Sequence, residues 1–128
     1  MIYEIRVCSQ KLPYSLSESH EVELVNGEIM YYVEMHKEII AYVSVTNMEA
    51  NGNIIFANIP ALSVDNEYKN KGIGTALLKR ALKDIDQPII AAYPYEESKA
   101  AKHILKKLNK IDSRICMDEK TLKNRLGS

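Results

Sequence analysis

The chain has 128 residues, 46% hydrophobic and 27% charged, enough for one domain with its own core and the composition of an ordinary globular protein. Seventeen Lys and Arg balance seventeen Asp and Glu, so the net charge is zero and the basic footprint of a nucleic-acid binder is absent at the level of the whole chain. The longest uncharged stretch, Ala50 to Val64, is too short and too rich in Asn to cross a bilayer.

The start, Met1-Ile2-Tyr3-Glu4-Ile5-Arg6, has no basic segment followed by an apolar one, so no signal peptide is expected. Cys8 and Cys116 fit neither a disulfide framework nor a zinc pattern, and two reduced thiols in the cytoplasm are the simplest reading. Ile2 to Cys8 alternates loosely and reads as a first strand. Ser9 to His20 is polar and reads as a loop or short helix. Glu21 to Val25 reads as a strand because Asn26-Gly27 is a strong hairpin signal. Ile29, Tyr31, Val33 and Met35 then share one face of a strand. After a turn near His36-Lys37, Ile39, Ala41, Val43 and Val45 are expected on one face of the next. Asn51-Gly52 marks another turn. Ile54 to Val64 is rich in β-formers, and Pro60 within it predicts a bulge or an edge position, because proline cannot donate to a ladder.

The apolar period then changes. Ile73, Leu77, Leu78, Ala81, Leu82 and Ile85 fill one half of a helical wheel, while Thr75, Lys79, Arg80 and Lys83 fill the other. Ile89 to Tyr93 is a short apolar run suited to a strand covered on both faces. Glu96 and Glu97 favour a second helix start, with Ala101, Ile104, Leu105, Leu108 and Ile111 as its apolar stripe and Lys99, Lys102, Lys106, Lys107 and Lys110 opposite. The tail from Ile115 to Leu126 fits a strand or a helix. Residues 1–128 are therefore expected to form a single mixed α/β (α+β) domain. Its mostly antiparallel sheet carries packed helices and one parallel step across the Ile73–Ile85 helix.

One segment carries chemistry. Leu62-Ser63-Val64 leads into a polar, basic loop, and Gly72 and Gly74 open an amphipathic helix. The free N–H groups of a first helical turn and the positive end of the dipole favour an anion, and glycines let it approach the backbone. Lys69 and Lys71 add charge. The same residues are also compatible with a plain strand-to-helix turn. A P-loop is excluded because Gly74-Thr75-Ala76 stands where Gly-Lys-Ser/Thr is needed, and a Rossmann fingerprint because Leu77 occupies its third glycine position.

Lys69-Asn70-Lys71-Gly72-Ile73-Gly74 resembles the acyl-CoA signature Arg/Gln-x-x-Gly-x-Gly/Ala of the GNAT N-acetyltransferase superfamily, with Lys69 at its first position. The resemblance covers about Glu28 to Leu108. It implies a GNAT-like fold that binds acetyl-CoA as cosubstrate and transfers its acetyl group to an amine of a small molecule, peptide or protein. It further implies that the backbone of Lys71 to Thr75, within the cradle Lys69, Asn70, Lys71, Gly72, Ile73, Gly74 and Thr75, holds the pyrophosphate. The Leu62, Ser63 and Val64 strand end would pair with the pantetheine arm, and Ser98 stands at a family asparagine position. Leu105 stands where the family often has a tyrosine acid, and Asn53 to Val64 holds no carboxylate for a base. Tyr93 and Tyr95 are the substitute acids, or merely packed rings, and Glu34 is the substitute base, or an exposed charge. His20, His36 and His103 have no metal-ligand spacing, so no metal is expected. Neither nucleic acid nor membrane is expected as a partner, and the protein is expected as a monomer or homodimer. A CoA-binding regulator with little or no catalysis is the alternative function.

Overall fold

The computed structural model describes residues 2–9, 28–93 and 99–127. Among these, six strands form one sheet in chain order: β1 (Arg6–Cys8), β2 (Ile29–Met35), β3 (Glu38–Ala50), β4 (Asn53–Val64), β5 (Ile90–Ala91) and β6 (Ile115–Cys116). Strands β1 to β4 pair antiparallel, and β4–β5 and β5–β6 pair parallel. The crossovers carry α1 (Ile73–Asp84) and α2 (Lys99–Asn109), and α3 (Glu119–Leu126) follows β6. The mixed sheet with a parallel step across α1 is as expected. A second parallel step was not: the ambiguous tail is both a strand and a helix. The expected Glu21–Val25 strand, the Asn26-Gly27 turn and the Glu96-Glu97 helix start lie outside the described residues.

Two tight turns set the register. Asn51 and Gly52 have φ of 53° and 80°, and His36 and Lys37 have φ of 52° and 65°. Successive left-handed residues match the right-handed twist of a hairpin. Two bulges adjust what the turns set. Between β2 and β3 the partners step from Val33↔Ala41 to Glu34↔Ile39, skipping Ile40. An extra residue reverses the side-chain alternation. Ile40 therefore joins Ala41, Val43 and Val45 in the main core, while Ile39 packs with Met30 and Tyr32 on the opposite face. This corrects the face expected for Ile39. Between β3 and β4 the partners step from Ser44↔Ala61 to Thr46↔Asn58, so Pro60 lies in a bulge as its missing donor demands.

The main core lies between one face of the sheet and α1 with α2. Leu77, Leu78 and Ala81 of α1 and Leu105 and Leu108 of α2 meet Tyr31, Val33, Val43 and Ile90 there. Helix α3 covers the other face, where Leu122 packs on Ala91 and Cys116. Ile111 departs from its expected stripe and is 72% exposed. Helix α2 ends at Asn109, so helical spacing no longer positions the residue two places on. No helix of the described residues is long and apolar enough to cross a membrane.

A buried phenol ties α1 to the sheet. Tyr31 is 4% exposed, and its hydroxyl donates to Asp84 Oδ2 at 3.1 Å. Burial first, then the Asp84 hydrogen bond and charge, push its pKa up to about 12. An acid whose pKa rises on folding stabilises fully below its unfolded value, near 10, and the contribution fades as pH climbs from 10 towards 12. The expected loss by pH 11 is on the order of 1 kcal/mol. Urea melts of wild type and Tyr31→Phe between pH 8 and about 11 check this. The gap between the two proteins is expected to shrink with rising pH, and a gap constant with pH is the opposing result.

Candidate functional site

The site begins where β4 outruns β5. The parallel ladder holds only Ala57↔Ile90 and Asn58↔Ala91. Beyond the Pro60 bulge, β4 runs on to Val64 paired with β3 alone. The Asp65 N–H donates to the Ile40 C=O at 2.8 Å. Main-chain groups alternate sides along an antiparallel strand. Ala61 and Ser63 therefore face β3, and the N–H and C=O of Leu62 and Val64 face the open side. An unpaired strand edge of this kind accepts another extended, amide-bearing chain.

The chain then bends through a 3-10 turn, Asn66–Tyr68, and through two left-handed residues, Asn70 at φ 63° and Gly72 at φ 80°. Gly72 caps α1. The first intrahelical bond, from the Ala76 N–H to the Gly72 C=O at 3.0 Å, leaves the N–H groups of Gly72, Ile73, Gly74 and Thr75 free of helical acceptors. The first turn of α1 holds no acidic residue to neutralise its positive end. The two glycines have different reasons. A Cβ on Gly72 would meet nothing within 4 Å, so its role is the left-handed φ. A Cβ on Gly74 would lie 3.1 Å from Ile104 Cδ1 and 3.4 Å from Val64 Cγ2, so its role is close approach.

Helix α2 supplies the facing wall. Ala100, His103, Ile104 and Lys107 recur at i, i+3, i+4 and i+7, which is one helical face, and all line the cleft. Its volume is about 630 Å³, within the range of small-molecule sites. Leu62, Val64 and Ile104 give it an apolar side, and Lys69, Lys107 and His103 give it basic or imidazole groups. Among the described residues no acidic side chain lines it. An open strand edge and a free helix N-terminus in one cleft can hold amide groups and an anion respectively.

The residues singled out in the sequence separate into two groups. Leu62, Ser63, Val64, Lys69, Asn70, Gly72, Ile73, Gly74 and Thr75 come together in this cleft, and Lys71 lies exposed on the same loop outside its lining. Tyr95 and Ser98 lie outside the described residues. Tyr93 is 42% exposed at the end of β5. Burial and the nearby Glu119, Cys116 and Asp118 raise its pKa, so its neighbours belong to β6 and α3 and not to the cleft. Glu34 sits near the sheet edge and pairs with Arg6 at 3.1 Å. Leu105 is in the core at 5% exposure. Tyr68 and His103 also line the cleft without having been singled out in the sequence, and Lys107 belongs to the basic Lys99 to Lys110 face, which the sequence leaves open between a solvated face, contact with the CoA 3′-phosphate and contact with an acidic partner. The spacing of His103 and Lys107 on one face of α2 was the available signal, but lysines dominate that helix and masked it.

A family model described as the acetyltransferase (GNAT) family matches residues 1–109. The chain belongs to the GNAT family. Solved structures agree on the fold at low identity. A GNAT-family acetyltransferase from Streptococcus pneumoniae is 18% identical with a TM-score of 0.54, over 64% of this chain and 51% of that one. A ribosomal-protein-alanine N-acetyltransferase from Brucella melitensis is 9% identical with a TM-score of 0.53, over 64% and 62%. A Bacillus anthracis chain solved in complex with acetyl coenzyme A is 24% identical with a TM-score of 0.51, over 66% and 49%. The present GNAT domain thus spans about half to three fifths of the length of these three chains. No curated protein matches its sequence significantly.

Proposed function

We propose that this GNAT protein is an acetyl-CoA-dependent N-acetyltransferase acting in the cytoplasm on an amine of a small molecule or a peptide. The observation that carries the reading is the junction of the open Leu62–Val64 edge with the free N–H groups of Gly72 to Thr75 in one cleft. Bound there, acetyl-CoA supplies an activated acetyl thioester. The helix N-terminus holds the pyrophosphate, and Lys69 and Lys107 add positive charge beside it. Leu62 and Val64 pair their main-chain groups with the pantetheine amides, which fixes how far the thioester reaches along β4. The gap between β4 and β5 receives the acyl group, and the protein's contribution there is positioning and a polarised carbonyl.

One observation favours the alternative, a CoA-binding regulator. Leu105, at the family's tyrosine position, is packed into the core, and no carboxylate lines the described part of the cleft. Calorimetric titration with acetyl-CoA, desulfo-CoA and ATP tests the binding. Selective binding of the two CoA compounds is expected, and a folded protein that binds neither ends both readings. Release of free thiol from acetyl-CoA across a panel of amines then separates enzyme from regulator. Turnover that rises with amine concentration supports the enzyme, and binding without turnover supports the regulator.

A further inference from the structure

Strand β6 is the last in the sheet, and its outer edge lies in a second groove. The groove has a volume of about 540 Å³ and is flanked by Lys102 and Lys106 of α2 and by Thr121 and Arg125 of α3, with Ile115 of β6 and Met117 just after it between them. It is distinct from the acetyl-CoA cleft. On the α2 wheel Lys102 and Lys106 each lie about 200° from Ile104, at 100° per residue. The segment that completes the groove, β6 with α3, also lies beyond residues 1–109 that match the family.

Among the described residues no strand pairs with the outer main-chain groups of this edge. The Ile90 N–H donates to the Arg114 C=O and the Ala92 N–H to the Cys116 C=O, both at 2.9 Å. Residues alternate sides along the strand. The Ile115 C=O and the Met117 N–H therefore turn away from β5, and no further strand follows among the described residues. The Ile115 N–H reaches only the Asp112 C=O, at 3.5 Å.

The flanks are positive. Asp118 is the acidic residue lining the groove, and its carboxylate is occupied as the cap of α3, accepting the Thr121 N–H at 2.7 Å. Arg125 is fixed over the start of β6 by donating to the Ser113 carbonyl. Lys102 and Lys106 are exposed and form no ion pair with another described residue, which leaves them to meet a partner's carboxylates.

We propose that this groove takes an acidic, extended segment of a partner protein, which adds to β6 as a further strand. Alternate side chains of such a segment face opposite sides of the sheet, so acids on one face meet Lys102 and Lys106 and acids on the other meet Arg125. A second copy of β6 brings the same cations and is repelled. A nucleic acid brings the negative charge but no main-chain N–H and C=O ladder for the edge.

Fluorescence anisotropy tests this with a labelled, capped peptide of repeating Glu-Glu-Val-Val, which places acids on both faces of an extended strand. Two isomers N-methylated at odd or at even residues, an all-Lys analogue and a single-stranded oligodeoxynucleotide complete the set. Saturable binding of the acidic peptide is expected, with loss in only one N-methylated isomer, because one set of N–H groups meets the edge. Lys102→Glu/Lys106→Glu, folded by circular dichroism, is expected to weaken binding at least roughly tenfold. No saturable binding up to about 1 mM overturns the proposal. So does equal binding of both isomers, which reduces the contact to charge alone, or equal binding of the oligonucleotide. Sedimentation showing a dimer that the double variant strengthens also overturns it, since a second copy then occupies the edge.

Discussion

Gly74→Leu is expected to weaken acetyl-CoA binding more than tenfold, which is about 1.4 kcal/mol, while leaving the protein folded. The first atom of any side chain at this position already meets Ile104 Cδ1 at 3.1 Å and Val64 Cγ2 at 3.4 Å. Gly74→Ala costs little. The tip of Ile104 is flexible and gives by a few tenths of an ångström, and alanine gains about 1 kcal/mol of helix propensity over glycine. Leucine adds three more heavy atoms between α1 and α2 at the base of the cleft. Overpacking of this kind costs about 1–3 kcal/mol, and the extra volume lies at the backbone proposed to receive the pyrophosphate. The clash has an identified partner, so Ile104→Ala in the Gly74→Leu background is expected to recover part of the lost stability and part of the affinity. Gly72→Ala acts differently: it meets nothing within 4 Å but must hold φ near 80°, which costs about 1 kcal/mol in backbone strain. Calorimetric titration with thermal melts of the four variants separates these causes. Unchanged acetyl-CoA affinity in Gly74→Leu would show that the glycine serves only the packing of the turn, and would remove the cradle.

What could be read from the sequence followed from patterns that a single element completes alone. The period of Ile73, Leu77, Leu78, Ala81 and Leu82 predicted the buried face of α1. Pro60 predicted a bulge or an edge position, and it lies in a bulge. Gly72 and Gly74 marked the loop because two glycines opening a helix is a local arrangement. The failures are non-local. Ile39 was placed on the wrong face because one extra residue at Ile40 reverses the alternation, and an apolar Ile-Ile pair does not say which isoleucine is the extra one. The His36-Lys37 turn was located, but nothing in those residues announces the left-handed conformation that both adopt. The cleft was legible on its β4 and α1 side and illegible on its α2 side. His103 and Lys107 acquire meaning only when Gly74 lets α2 approach α1. The parallel pairing of β6 escaped notice because a two-residue strand leaves almost no period to read.

Arg114→Ala is expected to be the most destabilising single replacement of a charged residue among the described residues, at about 2–4 kcal/mol or roughly 8–15 °C in melting temperature. Its guanidinium donates to the Leu82 C=O at 2.8 Å, to the Ile85 C=O and to the Gln87 C=O at 3.3 Å. These carbonyls belong to the last turn of α1 and the chain leaving it, where a helix lacks internal donors and its dipole is negative. Asp112 holds the guanidinium in place through Oδ1 and Oδ2 at 3.0 and 2.8 Å. One planar group thus ties α1 to the segment that leads into β6, and alanine leaves the carbonyls and the Asp112 carboxylate without it. Lysine offers a point charge and no fork, so Arg114→Lys is expected to recover less than half of the loss. The acid side carries a second signature. The Arg114 hydrogen bonds are the largest cause holding the Asp112 carboxyl below its usual range, so the stabilisation it gives is present above about pH 4 and fades as pH falls through its lowered value. Urea melts of wild type and Arg114→Ala at neutral pH and near pH 3 are expected to differ less at the lower pH. A melting temperature within about 2 °C of wild type would mean that the three carbonyls find water at no cost. The proposed acetyl-CoA cradle is at the other end of α1, about 18 Å away along twelve residues. Affinity measured well below the melting transition is therefore expected to stay within about twofold, which sets the role of Arg114 in stability apart from the role of Gly74 in binding.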